Sequence, residues 1–167
     1  MSSYVIRSGQ EGKRRLKILA RILWPTTFPL LKGLVREGMS CLDLGCGGGD
    51  VTIGMARLAG SKGKVVGIDV DAVKLAAARE EAVHQRLGNV EFRDANVFEW
   101  SEDAAYDLAY ARFLLTHLGD PGSVVVQMRH ALRPGGILVV EDIDFNSHFA
   151  TPGMQPSTAM SSSTARS

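Results

Sequence analysis

Apolar residues along the chain follow two spacings, one typical of buried strands and one typical of amphipathic helices. Short, nearly continuous apolar runs predict central strands of a parallel sheet. These runs occupy residues 39–44, 64–69, 89–94, 106–111 and 137–142. The stretches between them carry apolar residues at helical spacing. This alternation predicts an α/β fold built on a doubly wound parallel sheet with right-handed crossovers.

Helical spacing also precedes the first predicted strand. Apolar residues recur every three or four positions over residues 10–24, which predicts a helix that Pro25 ends. Thr26 is expected to cap a second helix that stops near Gly38. The pattern therefore predicts an N-terminal helical cover over residues 1–38.

The composition changes after the fifth predicted strand. Residues 149–167 are rich in Ser, Thr, Pro and Ala without periodicity, which predicts a disordered tail after a domain of residues 39–148. An uncovered fifth strand would present an apolar edge, where we expect self-association or aggregation. The abrupt change near Thr151 favours a shift of reading frame as the origin of the tail, with an ordinary disordered terminus as the alternative.

Composition and charge narrow the function classes. The chain has 167 residues and a net charge of +1, so it has the size of one domain and no strongly basic face for nucleic acid. The sequence lacks an apolar run of the ~20 residues that span a membrane, and it lacks a secretory signal pattern. We therefore expect a cytoplasmic protein with neither nucleic acid nor membrane as partner. Cys41 and Cys46 lack metal or redox spacing and are expected to be reduced thiols without chemistry.

The loop after the first predicted strand is nearly all glycine. Gly45, Gly47 and Gly49 permit positive φ and let a ligand approach the backbone at the start of the next helix. A dinucleotide-binding loop would have Gly or Ala at the position of Asp50. Together with Asp43, that carboxylate disfavours a phosphate and suits a ligand with positive charge and hydroxyls. The alternative is a tight turn that binds nothing.

Another acid ends the second predicted strand. Asp69 lies within the ~20-residue separation at which such an acid bonds ribose hydroxyls in nucleoside-binding α/β units. A role as helix cap fits Asp69 less well, because Asp71 is better placed to cap the helix of residues 72–87. The spacing therefore favours ribose recognition by Asp69.

The pattern Asp43-x-Gly45-x-Gly47-x-Gly49 resembles the first motif of class I S-adenosylmethionine-dependent methyltransferases of the small-molecule type. The resemblance spans residues 4–148 and implies a Rossmann-like methyltransferase fold, S-adenosyl-L-methionine as cofactor and a small-molecule acceptor. It implies cofactor contacts at Asp43, Gly45, Cys46, Gly47, Gly49, Asp69, Val70, Asp94, Ala95 and Ala111. In that family the sheet ends with two further strands. The resemblance therefore implies a chain truncated after the fifth strand, which leaves its activity open.

The same resemblance assigns roles along the sheet edge. Val70 is expected to pack on the adenine, and Asp94 with Ala95 to face its amino group. Residues 111–113 would form the floor between cofactor and acceptor, and the Arg-Pro-Gly-Gly turn of residues 133–136 is a further family hallmark.

Methyl transfer from a sulfonium is an in-line displacement in which a base is optional. His117 is the candidate base because an unperturbed histidine titrates near neutrality, and the alternative is a surface residue. The remaining histidines are not spaced as a metal site. Two other functions stay open: a non-catalytic remnant that binds the cofactor, and a nicotinamide-dependent oxidoreductase, which Asp50 disfavours.

Overall fold

The computed structural model describes residues 10–142, except for the side chains of residues 10–17 and 19–21. Its strands are β1 (Ser40–Leu44), β2 (Lys64–Asp69), β3 (Val90–Asp94), β4 (Tyr106–Arg112) and β5 (Leu132–Glu141). Its helices are α1 (Gln10–Leu34), α2 (Asp50–Ala59), α3 (Ala72–His84) and α4 (Pro121–Ala131), with a 3-10 turn at Leu115–His117. The predictions of a disordered tail and a shifted reading frame lie outside the described residues.

The five strands form one parallel sheet in the order β3-β2-β1-β4-β5. The chain builds outward from β1 to β3 and then crosses back to place β4 on the other side of β1. Ligands of such sheets bind beyond the carboxyl ends of the strands, where the order reverses. The predicted doubly wound parallel sheet is confirmed, and the reversal lies between β1 and β4.

The two sides of the sheet bury different layers. Leu44 and Ala111 belong to the core on the α4 side, whereas Leu108 and Tyr110 belong to the core beneath α1 and α2. Asp43 is the register partner of Tyr110, so it lies on the α1 and α2 side. A carboxylate thus enters an otherwise apolar layer next to the glycine loop.

A single helix replaces the two that were predicted before β1. α1 continues through Pro25 and Pro29, so the prediction of a helix end at Pro25 is wrong. Both prolines are exposed, while Leu31 on the opposite side is fully buried. Burial of that side offsets the ~3 kcal/mol that a proline costs inside a helix. Thr26 is not a cap, because its hydroxyl donates to the Leu23 carbonyl at 2.7 Å within the same helix.

The predicted turn of residues 133–136 lies inside β5 as an irregular segment. Tyr106 pairs with Leu132 and Leu108 with Ile137, so β5 has extra residues between two successive pairs. Gly135 has a φ of +83°, which favours glycine. Such bulges are common on edge strands, and among residues 10–142 β5 has β4 as its only neighbour.

Candidate functional site

The glycine loop turns over the end of β1 with three residues at positive φ. Gly45, Gly47 and Gly49 have φ values of +74°, +53° and +78°. A β-carbon at Gly45 would lie 2.9 Å from Leu114, and one at Gly49 would lie 2.8 Å from Phe92, so packing requires both glycines. A β-carbon at Gly47 would have no neighbouring atom within 4 Å. Gly47 therefore leaves room for a ligand against the loop backbone.

Asp69 ties this loop to the end of β2. One carboxylate oxygen accepts the Gly47 N–H at 2.8 Å, and the other accepts the Asp71 N–H at 2.8 Å. Asp71 in turn caps α3 by accepting the N–H groups of Val73 and Lys74 at 3.1 Å. The prediction that Asp71 is the residue that caps α3 is confirmed. Each Asp69 oxygen keeps a lone pair for a hydroxyl donor.

Residues from β2 and β3 meet beside Asp69. Asp94 is its register partner, and the Ala95 N–H donates to the Asp69 carbonyl at 3.1 Å. Val70 is 53% exposed, which is unusual for valine and leaves its surface free to pack on a ring. The structure thus brings these four residues together. Ala111 differs, because it is fully buried in the core on the α4 side, and its cofactor contact stays a prediction.

Asp43 is a buried acid with one short hydrogen bond. It is 2% exposed, and its carboxylate accepts the Thr52 hydroxyl at 2.6 Å. Burial raises the pKa of Asp43 to about 7; the hydrogen bond from Thr52 lowers it, Asp50 and Asp69 raise it, and Arg112 lowers it. A cation bound beside Asp43 would favour its ionised form.

Arg112 supplies the positive charge nearest these acids. Its Nη2 donates to the Asp50 carboxylate at 2.6 Å, and its side chain is 12% exposed. Burial opposes the charge of Arg112, but Asp50 raises the Arg112 pKa above its usual value. The sequence placed Arg112 on the floor of the site without predicting this ion pair.

A further polar group at this edge was missed by the sequence analysis. Glu141 at the end of β5 accepts hydrogen bonds from the hydroxyls of Thr27 and Tyr110, both of which are fully buried. Thr27 and Glu141 are 114 positions apart in sequence, so local spacing carries no signal for the contact. We call Thr27, Tyr110, Arg112 and Glu141 the Glu141 cluster.

The candidate base is exposed to solvent, whereas the two cysteine thiols are buried. His117 is exposed in the 3-10 turn after β4, and its catalytic role stays a prediction. Cys41 and Cys46 are free and buried. Burial raises the pKa of Cys41 to about 12 and that of Cys46 still further. Both thiols stay protonated at neutral pH, so they are poor nucleophiles.

Two open pockets lie at the opposite, amino edge of the sheet. One of about 400 Å³ is lined in part by Glu37, Asp107 and Arg133, and the other, of about 330 Å³, by residues that include Lys64 and Glu91. Neither contains a predicted site residue. Because parallel sheets bind ligands at the carboxyl edge, we locate the candidate site by the loop and its carboxylates.

Within the described part of the chain, we find no cluster of metal-ligating residues and no helix long and apolar enough to cross a membrane.

The chain is similar in sequence to known proteins. Residues 35–166 match the family described as methyltransferase domain. The chain is 37% identical over 120 residues to the ubiquinone/menaquinone biosynthesis C-methyltransferase UbiE of Hahella chejuensis, covering 71% of this chain and 48% of that protein. It is 32% identical over 111 residues to a ubiquinone biosynthesis O-methyltransferase of Acinetobacter baylyi, covering 65% and 45%.

A similar fold occurs among solved structures. A SAM-dependent methyltransferase from Aquifex aeolicus aligns with a TM-score of 0.69 and 25% identity, covering 80% of this chain and 72% of that one. The chain spans less than half the length of the two biosynthetic methyltransferases it matches.

Proposed function

The chain belongs to the methyltransferase domain family, and we propose that it binds S-adenosyl-L-methionine at the glycine loop and transfers the methyl group to a small-molecule acceptor. The observation that carries this proposal is the acidic surrounding of an open glycine loop. Asp69 accepts the Gly47 N–H, Asp43 interacts electrostatically with both Asp50 and Asp69, and there is room for a ligand at Gly47. This setting suits a ligand with sulfonium, ammonium and ribose hydroxyls, and it disfavours a pyrophosphate.

The residues present fit the parts of that cofactor. Asp69 is held by two backbone N–H groups, so its carboxylate is fixed in place to accept ribose hydroxyls. Val70 has an exposed apolar surface that would pack on the adenine, and Asp94 with Ala95, at the end of the neighbouring strand, would face its amino group. Asp43, whose pKa is about 7 without a ligand, would be held in its ionised form by the cationic end.

The bound cofactor supplies an already activated methyl group, so the chain's main task is alignment. Holding an acceptor in line with the transferred group is worth up to ~7–11 kcal/mol in well-aligned cases. Arg112 and the strand ends of β1 and β4 provide the floor on which the acceptor would be oriented. Where the acceptor must lose a proton, His117 is the residue we propose to take it.

Calorimetric titration of the purified chain with S-adenosylhomocysteine and, separately, with NAD tests the cofactor. We expect saturable binding of S-adenosylhomocysteine and none of NAD. Binding of NAD alone would overturn the proposal. Turnover of S-adenosylmethionine with a panel of hydroxyl, amine and activated-carbon acceptors then tests transfer, and cofactor binding without turnover on any of them would restrict the function to binding.

We also propose self-association through β5 and a cytoplasmic location. β5 pairs with β4 on one side only among residues 10–142, and Val140 on it is 38% exposed. Unpaired strand edges are templates for pairing with a second chain. Val140→Lys should lower the sedimentation coefficient of any oligomer toward that of the monomer, whereas an unchanged oligomer would contradict pairing at β5. We propose the cytoplasmic location on separate grounds: the two free thiols are suited to a reducing compartment.

A further inference from the structure

The inward side of α1 carries one hydroxyl in an apolar setting. Thr27 is fully buried, as is Leu31 one turn further along the helix. Trp24 lies so close to α2 that a β-carbon at Gly54 would lie 2.4 Å from its ring. A hydroxyl at such a close interface is costly unless it has a hydrogen-bond partner. The position of α1 therefore depends on what Thr27 bonds.

The partner of Thr27 is a carboxylate from the far edge of the sheet. The Thr27 hydroxyl lies 3.1 Å and 3.2 Å from the two oxygens of Glu141, and it also lies 3.5 Å from Nη1 of Arg112. The Tyr110 hydroxyl donates to the same carboxylate. Burial and this hydrogen bond raise the pKa of Tyr110, so the phenol remains a donor. Glu141 thus joins α1 to both β4 and β5.

The same cluster reaches the glycine loop. Arg112 bonds Asp50, which directly follows Gly49 and begins α2. Tyr110 is the register partner of Asp43 on β1. A displacement of Thr27 would break its bond to Glu141 and remove an oxygen from the vicinity of Arg112. The side chains of Thr27, Arg112 and Asp50 therefore connect the packing of α1 with the charges around the glycine loop.

We propose that Glu141 is a positioning residue that seats α1 at the carboxyl edge of the sheet, and that cofactor binding and the seating of α1 strengthen each other. The inference rests on the proposed function, because it takes S-adenosylmethionine as the ligand of the loop. Glu141 acts through Thr27 and Arg112 and need not touch the ligand. Such coupling requires that α1 is held more firmly in the cofactor-bound chain than in the ligand-free chain.

Two adjacent threonines provide a matched test. Thr27→Val removes the buried hydroxyl at nearly constant volume, and Thr26→Val is the control because Thr26 is exposed and bonds within its own helix. Thr27→Ser keeps the hydroxyl and should rescue the behaviour. The measurements are hydrogen exchange of the α1 amides with and without saturating S-adenosylhomocysteine, and the affinity for S-adenosylhomocysteine by calorimetry.

In the wild-type chain we expect the ligand to slow exchange in α1 by at least about threefold. Thr27→Val should lose this slowing and bind S-adenosylhomocysteine about tenfold more weakly, while Thr26→Val and Thr27→Ser should stay close to wild type. If Thr27→Val fails to fold, Glu141→Gln takes its place with the same expectation. A variant that lowers the melting temperature but keeps wild-type affinity and ligand-dependent slowing would overturn the inference and leave a structural role only. A wild-type chain that does not bind S-adenosylhomocysteine would overturn the proposed function and this inference with it.

Discussion

The two halves of the carboxyl edge are built by different means. On the β2 and β3 side, Asp69 fixes the loop through hydrogen bonds to backbone N–H groups that lie 22 and 2 positions away in sequence. On the β4 and β5 side, Glu141 gathers side chains from 31 and 114 positions away. The first half is a motif-based site that local sequence specifies. The Thr27 contact of the second half forms only when α1 has packed, so we expect changes in the two halves to affect ligand binding in different ways.

The largest effect is expected at Gly47. Gly47→Val should weaken S-adenosylhomocysteine binding by at least about 100-fold, because a branched side chain would fill the open space over the loop and strain a φ of +53°. Calorimetry measures the affinity. Gly48→Ala is the matched control, since Gly48 also faces open space but has no positive φ. Normal binding by Gly47→Val would mean that the ligand does not approach this backbone.

The next effect separates the two acids after β2. Asp69→Ala should weaken S-adenosylhomocysteine binding at least about tenfold and also lower stability by ~1–3 kcal/mol, because it leaves the N–H groups of Gly47 and Asp71 without their acceptor. Asp71→Ala should cost ~1 kcal/mol through loss of the α3 cap and leave affinity unchanged. Denaturant unfolding and calorimetry report the two quantities. Equal affinity of the Asp69 and Asp71 variants would remove Asp69 from the ribose site.

A pH series tests the buried acid between the two halves. The pKa of Asp43 is about 7 in the folded chain and ~3.9 when unfolded, so the folded state binds more protons between these values. The stability of the ligand-free chain should therefore fall as pH rises from about 4 to about 7, relative to Asp43→Asn, which has no titrating carboxyl at this position. We expect the melting temperatures of the two proteins to diverge by on the order of 5 °C over that range. A constant difference would show that Asp43 is ionised throughout.

The smallest effect is expected at the amino edge. Arg133 pairs with Asp107 at 2.8 Å, but both side chains are partly exposed, so Arg133→Ala should cost no more than ~1 kcal/mol. Affinity for S-adenosylhomocysteine should be unchanged, because this edge lies at the other ends of the strands. A tenfold loss of affinity would place the ligand near the pocket of that edge and contradict the choice of the glycine loop.

The sequence was sufficient for the parts of the fold that depend on local spacing. The five strands, the glycine loop and the cap at Asp71 each follow from residue types within a short window. The helix end at Pro25 was predicted wrongly, because the cost of a proline is local whereas the burial of Leu31 that offsets it depends on packing against the sheet and α2. Contacts between α1 and the rest of the fold therefore determine where this helix ends.

Side-chain contacts between distant elements were beyond sequence reasoning. Nothing near Thr27 distinguishes it from Thr26, yet one is buried against Glu141 and the other is exposed. In the same way, the pKa of Asp43 is raised by burial and by Asp50 and Asp69, and lowered by Thr52 and Arg112, all of which belong to other elements. Charge and hydrogen bonding across the sheet become visible only when the strands are placed side by side.

The two prolines of α1 have a consequence for the curvature of that helix. Pro25 and Pro29 have no N–H to donate, so the carbonyls of residues 21 and 25 lack their usual helical partners from these positions. Both prolines are on the solvent side, where the hydrogen bonds of a helix lengthen when it bends around a core. Without those bonds, the outer side of α1 can stretch at lower cost. The helix can therefore bend around the core that it covers at the turn that contains Thr27, and replacing both prolines with alanine should straighten and stiffen it there.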